Sequence, residues 1–278
     1  MPHIERQWTS VELLRRGVRG LPSLWACQRQ FRNWRTISRI YSGLSPLDEP
    51  FVAEARNGCR LTVWEPADVQ TLWTVFCAGA YGARRMEGLV LDLGANIGAF
   101  TVFAARNLGA QRVIALEPVG ATYGKLQHNI AGNNLCSRVT TLAQGIGGAD
   151  GRRCIWLGRA SPYASLYFRN NPRFESGETE SIDVITLDRL FEEQDVKQVE
   201  LCKMDCEGAE VEALLAASDA TLGKIRNLCM EYHYPPDEPG STKAMFERLF
   251  DAGFCCAHHN QRDRLAHFAR ADSRGGRS

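Results

Sequence analysis

The sequence predicts an α/β domain, a mostly parallel sheet with helices on both faces. Three observations predict it. From Leu89 onward, short apolar runs alternate with amphipathic stretches, the pattern of strand–helix–strand crossovers. The first run, Leu89–Leu93, carries Asp92 at its end and turns through Gly94 and Gly98 into a helix. The second, Val113-Ile-Ala-Leu-Glu117-Pro, closes on another carboxylate 25 residues after Asp92. Strand, glycine turn, helix and a second strand ending on an acid make a Rossmann-like unit.

The elements follow in order. Residues 1–48 form an N-terminal helical extension, with Val11, Leu14, Val18 and Leu21 at helical spacing, then Trp34, Ile37 and Tyr41. Pro22, Gly43 and Pro46 divide it into two helices and a linker. Arg15, Arg16, Arg19, Arg29, Arg32, Arg35 and Arg39 decorate the other faces. They read either as a solvated lid on the main domain or as a partner surface. The partner would be a second copy in a homodimer, an acidic carrier or a lipid surface.

Residues 49–270 form the main domain. Asn57-Gly58 turns a hairpin between Phe51–Ala55 and Cys59–Trp64, followed by a helix over Asp68–Ala78. Core strands are expected at 89–93, 112–116, 138–142, 199–204 and 226–231, with helices at 97–108, 120–132 and 208–217. In the insertion 143–198, Asp150-Gly151 turns a hairpin into Arg152–Leu157. Ser161–Phe168 is a loop, Ser181–Ile185 a strand, and a short helix starts at Thr186. A helix over Thr242–Phe250 precedes a closing antiparallel hairpin, Phe254–Ala257 with Leu265–Phe268. The Arg-, Gly- and Ser-rich tail 271–278 reads as disordered.

Composition narrows the function. At 278 residues, with 44% hydrophobic and 23% charged side chains, the chain is ordinary for a globular protein with a substantial core. A net charge of +1 argues against a whole-surface grip on nucleic acid. No apolar run is long enough to span a membrane, and the N-terminus lacks a signal pattern, so a cytoplasmic location is expected. Ten cysteines without a C-x-x-C pair read as reduced thiols, several in core strands.

The chemistry gathers at the strand ends. Asp92 reaches the carboxyl edge of the sheet, where such folds bind ligands. Gly94 and Gly98 allow a tight turn and close approach of a cofactor, and Asn96 is placed to cap the next helix. The G-x-G-x-x-G of a dinucleotide site is absent. Glu117 can accept hydrogen bonds from both ribose hydroxyls, or simply cap the following helix. The set suggests S-adenosylmethionine, with Gln144, Gly145 and Ile146 after the third strand as candidates for the adenine pocket.

The fourth strand ends Lys203-Met-Asp205-Cys-Glu207-Gly-Ala-Glu210, putting Asp205 beside the expected methyl donor. Glu207 opens the next helix, where acids favour the macrodipole, and Glu210 with Glu212 reads as a solvated helical face. The fifth ends Glu231-Tyr232-His233, a carboxylate and an imidazole at the same mouth, for a general base or for substrate positioning. Tyr163 and Ser165 lie in the loop 158–178, where substrate choice would vary. Strand-end carboxylates do not by themselves imply a cation, so no metal is assigned. A metal-assisted variant would use Asp205, Glu231 and His233.

Four stretches together resemble the FkbM-type methyltransferase family: Leu-Asp-Leu-Gly-Ala-Asn-Ile-Gly-Ala-Phe-Thr, Val-Ile-Ala-Leu-Glu-Pro, Val-Ile-Thr-Leu-Asp and Lys-Met-Asp-Cys-Glu-Gly-Ala-Glu. The last is the most specific, differing at two positions from the family's Lys-Ile-Asp-Val-Glu-Gly-Ala-Glu. The resemblance covers about residues 68–233. It implies a class I methyltransferase fold, S-adenosylmethionine giving S-adenosylhomocysteine, and O-methylation of a small metabolite, a natural product or a sugar. In that reading Asp205, Glu207 and His233 are catalytic, His233 polarising the acceptor while the two acids position it, and Glu231, Tyr163 and Ser165 face the substrate. The alternatives are a methyltransferase acting on RNA or another polyanion, and a non-catalytic cofactor-binding module. Base methylation is disfavoured because Met-Asp-Cys-Glu stands where such enzymes carry a Pro-Pro-Tyr motif.

Overall fold

The computed structural model describes residues 22–82, 85–158, 164–165, 178–233 and 241–270. Helices α1 (22–30) and α2 (Trp34–Tyr41) lead into the hairpin β1 (Phe51–Glu54) and β2 (Arg60–Val63), then α3 (Pro66–Phe76). The alternating region follows: β3 (Leu89–Leu93), α4 (Ala99–Phe103), β4 (Arg112–Leu116), α5 (Gly120–Gly132) and β5 (Val139–Leu142). Instead of one regular helix to residue 108, α4 widens into π-helical geometry over Ala104–Leu108. The insertion supplies β6 (Gln144–Ile146), β7 (Gly151–Leu157), β8 (Ala164–Ser165), β9 (Thr179–Ile185) and α6 (Leu187–Glu193). The chain then returns through β10 (Leu201–Met204), α7 (Ala209–Ala216), α8 (Asp219–Gly223), β11 (Asn227–Glu231), α9 (Ser241–Asp251), β12 (Phe254–Asn260) and β13 (Leu265–Arg270).

Seven strands form the central sheet in the order β12-β13-β11-β10-β3-β4-β5. From β5 to β11 all pairs are parallel, and β13 and β12 close the edge antiparallel. The chain moves outward from β3 to β5, then crosses back to β10 on the other side of β3. That reversal opens a crevice at the carboxyl ends of β3 and β10, where doubly wound sheets bind ligands.

Alternation along the strands builds two cores. Val90, Val113, Leu201 and Cys229 point to one face, and their neighbours Leu91, Ile114, Cys202 and Leu228 to the other. The N-terminal helices belong to the first core through Cys27, Phe31, Ile37 and Ile40. Phe31 packs edge-on against Phe76 at 5.3 Å, and Tyr41 stacks on Trp73 at 4.1 Å. All ten cysteines are free.

Two expectations need correction. Arg152–Leu157 does not form a hairpin with the preceding strand: β9 lies between β6 and β7, in a separate sheet of order β6-β9-β7-β8. With only three residues, β6 cannot match the seven of β7, whereas β9 pairs along most of β7's length. The second is the region 217–223, which the sequence left without structure. There Ser218 caps the short helix α8, its hydroxyl accepting the Thr221 N–H at 3.2 Å. Residues 1–21, the loop around Tyr163 and the tail 271–278 lie outside the described residues.

Candidate active site

A cleft of about 370 Å³ opens at the carboxyl ends of β3, β4, β10 and β11, with α3 along one wall. Its rim is the turn after β3. Gly94 sits at φ +76°, and a Cβ there would lie 1.9 Å from the Asp205 carbonyl oxygen. Only glycine lets this turn lie against the tip of β10. Asn96 takes the left-handed conformation that asparagine tolerates, φ +52°. Its N–H donates to Glu117 Oε2 at 2.9 Å, and its Oδ1 accepts from Ile97 N at 2.5 Å. It therefore stabilises the turn and does not cap the helix; Gly98 is the N-cap, without a side-chain bond. Gly98 does not line the cleft either. A Cβ at that position would come within 2.6 Å of Leu126 Cδ1, so this glycine serves the packing of α4 on α5.

Asp92 also departs from expectation. It is fully buried and does not line the cleft. Oδ2 accepts from the Thr101 hydroxyl at 2.5 Å, and Oδ1 pairs with Lys203 Nζ at 3.1 Å. Lys203 in turn donates to the Gly94 carbonyl at 2.6 Å, so the pair braces the turn from behind. Burial pulls the Lys203 pKa down, but Asp92 and Asp205 outweigh it and hold the amine above its ordinary range.

Glu117 does project into the cleft, with 7% of its surface exposed. Its Oε1 accepts from Val119 N at 3.0 Å. Burial raises its pKa to about 7, against the pull of both N–H donors and Lys203. Gln144, Gly145 and Ile146 on β6 also line the cleft. Ile155 and Ile182 join Ile146, a contribution from β7 and β9 that the sequence missed. Their strands were legible; their place beside β6 depends on a pairing order that local pattern does not encode. Ser165 lies in β8, its backbone paired opposite Trp156 of β7.

At the other end the cleft gathers Tyr81, Asp205, Glu207, Glu231, His233 and Arg264. Tyr81 was not foreseen as a site residue; its hydroxyl donates to Asp205 Oδ2 at 3.0 Å. Burial, then the Asp205 charge, push this phenol well above its ordinary pKa, so it stays a donor. His233 is ringed by carboxylates. Nδ1 lies 3.3 Å from Glu210 Oε1, and Nε2 lies 3.7 Å from Glu207 and 3.9 Å from Glu231.

Glu210 overturns the reading of a solvated face. Its side chain is fully buried, and its carboxylate accepts from Cys206 N at 2.5 Å and Gly208 N at 2.9 Å. Burial disfavours a charged His233, yet Glu210, Glu207 and Asp205 outweigh it and lift the imidazole to about 10. So raised, the ring favours the imidazolium, a hydrogen-bond donor toward the acids around it. Burial raises Glu207 to about 7, opposed by His233. Glu231 also rises to about 7, through burial and then the Asp205 charge. Donor atoms of Asp205, Glu210 and His233 fall within 4.8 Å of one another; a metal ion there would need the neutral imidazole and would take the place of its proton.

A reversing parallel sheet with acids from the tips of β4, β10 and β11 around one cleft is a Rossmann-like architecture. The methyltransferase FkbM domain matches residues 92–256, more than half of the chain, which therefore belongs to the FkbM methyltransferase family. Methyltransferase 1 of Beauveria bassiana is 27% identical over 58% of this chain and 71% of its own length. Methyltransferase sdnD of Sordaria araneosa is 26% identical, covering 59% and 73%. AMB antimetabolite synthetase AmbE of Pseudomonas aeruginosa is 25% identical over 59% of this chain, which spans only 9% of that much longer protein. Among solved structures, methyltransferase FkbM of Methylobacillus flagellatus matches with a TM-score of 0.46 and 20% identity. It covers 91% of this chain and 59% of its own.

Proposed function

We propose that this methyltransferase uses S-adenosylmethionine to O-methylate a hydroxyl on a small metabolite, a natural product or a sugar. The observation that carries the reading is one cleft with two unlike ends. A single carboxylate, Glu117, stands beside an apolar shelf at one, and Asp205, Glu207 and Glu231 converge on an imidazolium at the other.

The donor set fits the cofactor. Glu117 offers a carboxylate to ribose hydroxyls, the flush turn at Gly94 leaves backbone within reach, and Ile146, Ile155 and Ile182 suit a flat base. When bound, S-adenosylmethionine supplies an electrophilic methyl group that needs no further activation. The chain's own residues then have to orient the acceptor, exclude water and take its proton. Glu207, with a pKa of about 7, is matched to accept a proton near neutral pH. Tyr81 fixes the orientation of Asp205 through its hydrogen bond. His233 serves as the fixed cation that holds the acids together, and Glu231 lies on the same wall for the acceptor's other polar groups.

Titration calorimetry with S-adenosylmethionine and S-adenosylhomocysteine tests the cofactor, and label transfer from methyl-tritiated donor to a panel of polyols and hydroxylated aromatics tests the acceptor. Binding of both and label in ether products is expected. A folded protein that gives no heat with either compound overturns the reading.

A further inference from the structure

The arginine-rich helices take no part in the cleft, and their outward side has a distinct chemistry. Between residues 22 and 47 there is no Asp, Glu or Lys, but there are four arginines, Arg29, Arg32, Arg35 and Arg39. All four are exposed, and none reaches a carboxylate among the described residues. Six large hydrophobic side chains are exposed among the described residues, and this stretch holds four of them. They are Leu24, Trp25 (59% exposed), Tyr41 and Leu44 (73%). Tyr41 is engaged by Trp73, which leaves Leu24, Trp25 and Leu44.

The same helices are anchored from behind. Cys27, Phe31, Ile37 and Ile40 are buried in the core, so the outward side chains stand on a fixed platform. Along α1 the exposed residues recur as Leu24 with Gln28 and Trp25 with Arg29, one outer helical face. The Arg29 guanidinium lies 4.4 Å from the Trp25 ring centre, placing cation and aromatic side by side.

We propose that this face docks the protein on an anionic lipid bilayer, with Leu24, Trp25 and Leu44 at the headgroup–acyl boundary and the four arginines on lipid phosphates. Arginine forks match phosphate geometry, and tryptophan favours that boundary. A second copy meeting this face would bring arginines against arginines, so self-association is opposed by charge. On a nucleic acid, Leu24 and Leu44 would gain nothing. An acidic protein would need a groove fitted to apolar tips set apart on α1 and on the turn after α2, whereas a bilayer accommodates separated tips. Among the described residues no helix is long and apolar enough to cross a membrane, so the attachment is peripheral. Since α2 packs on α3 through Tyr41 and Trp73, and α3 walls the cleft, the docked face and the cleft share one helix.

Vesicle co-flotation of the full chain tests this. Expected is flotation with equimolar phosphatidylglycerol–phosphatidylcholine vesicles, none with phosphatidylcholine alone, and release at high salt. The double variant Arg29→Glu with Arg32→Glu should weaken partitioning a hundredfold or more, at about fivefold per unit of charge lost near an anionic surface. Trp25→Ala should weaken it with the charge intact. Neither variant touches the cleft, so unchanged calorimetric binding of S-adenosylmethionine shows that the fold survives. Absence of flotation overturns the proposal, as does flotation indifferent to the charge reversal. A dimer or an RNA gel shift abolished by the same variants, without vesicle binding, would reassign the face.

Discussion

The two ends of the cleft hold their acids in different ways. Glu117 is fixed by backbone N–H groups of Asn96 and Val119, so its place follows from the course of the chain at the tips of β3 and β4. Asp205 accepts from the Tyr81 hydroxyl, and Glu207 and Glu231 lie beside an imidazolium that itself leans on Glu210. Backbone-held groups survive substitution of their neighbours; side-chain-held groups do not. The Glu117 end, proposed above for the cofactor, is therefore the rigid one, and the other end is a network whose proton content and geometry depend on each member.

Removing Glu210 attacks that difference most strongly. Glu210→Ala leaves a buried imidazolium without its closest counter-ion and strips acceptors from Cys206 N and Gly208 N. Breaking a buried charge pair from one side costs about 3–5 kcal/mol. Chemical denaturation should show a loss of that size, with the loop carrying Glu207 more exposed to hydrogen exchange. A loss below about 1 kcal/mol, in the range of surface substitutions, would mean that the network relaxes and the contrast between the ends is not real.

Gly94→Ala tests the rigid end. A Cβ at φ +76°, 1.9 Å from a backbone oxygen, cannot be accommodated by a side-chain movement. The turn has to shift, carrying Asn96 and its bond to Glu117 with it. A destabilisation of roughly 2–3 kcal/mol is expected, with calorimetric affinity for S-adenosylmethionine falling more steeply than stability. If affinity is unchanged, the turn is not part of the cofactor site.

Glu117→Gln sharpens the same point with less disturbance. In the native chain the carboxyl is neutral below its pKa of about 7 and charged above it. Only the anion accepts from two hydroxyls while also receiving both backbone N–H groups, so cofactor affinity should rise as pH passes upward through 7. The amide variant should lose roughly tenfold or more at pH 8, since a hydrogen bond to a charged group is worth about 1.5–3 kcal/mol, and its affinity should not vary across that window. A native profile that is flat from pH 6 to 8 breaks the assignment.

Legibility in the sequence divides along the same line. The strands, Glu117 and Asp205 could be read because an apolar run fixes a strand and the strand fixes where its last acid lies. Asp92 could not be placed by that rule alone, because Thr101 and Lys203, from the next helix and the neighbouring strand, capture both of its oxygens. Tyr81 and Arg264 enter the cleft from connections whose path no local pattern sets. The charge on His233 was hidden because it depends on Glu210, and Glu210 was misread. Yet the sequence did hold a signal against that misreading. Residues two apart on a helix point about 200° from one another, so Glu210 and Glu212 could not share one solvated face.

That geometry yields the smallest expected effect. Glu212 lies on the other side of α7, where its carboxylate meets Arg153 at 2.5 Å with side-chain exposures of 29% and 34%. A partly solvated ion pair of this kind contributes about 0.2–1 kcal/mol, less at high salt. Glu212→Ala should therefore destabilise the protein several times less than Glu210→Ala, although both remove a glutamate from the same helix two residues apart. Denaturation of both variants at low and high ionic strength makes the comparison. Salt should erase the Glu212 effect and leave the Glu210 effect nearly intact, because the buried pair is shielded from counter-ions. Equal losses, or equal screening, would place both acids in one environment and dissolve the distinction between a held network and a solvated surface.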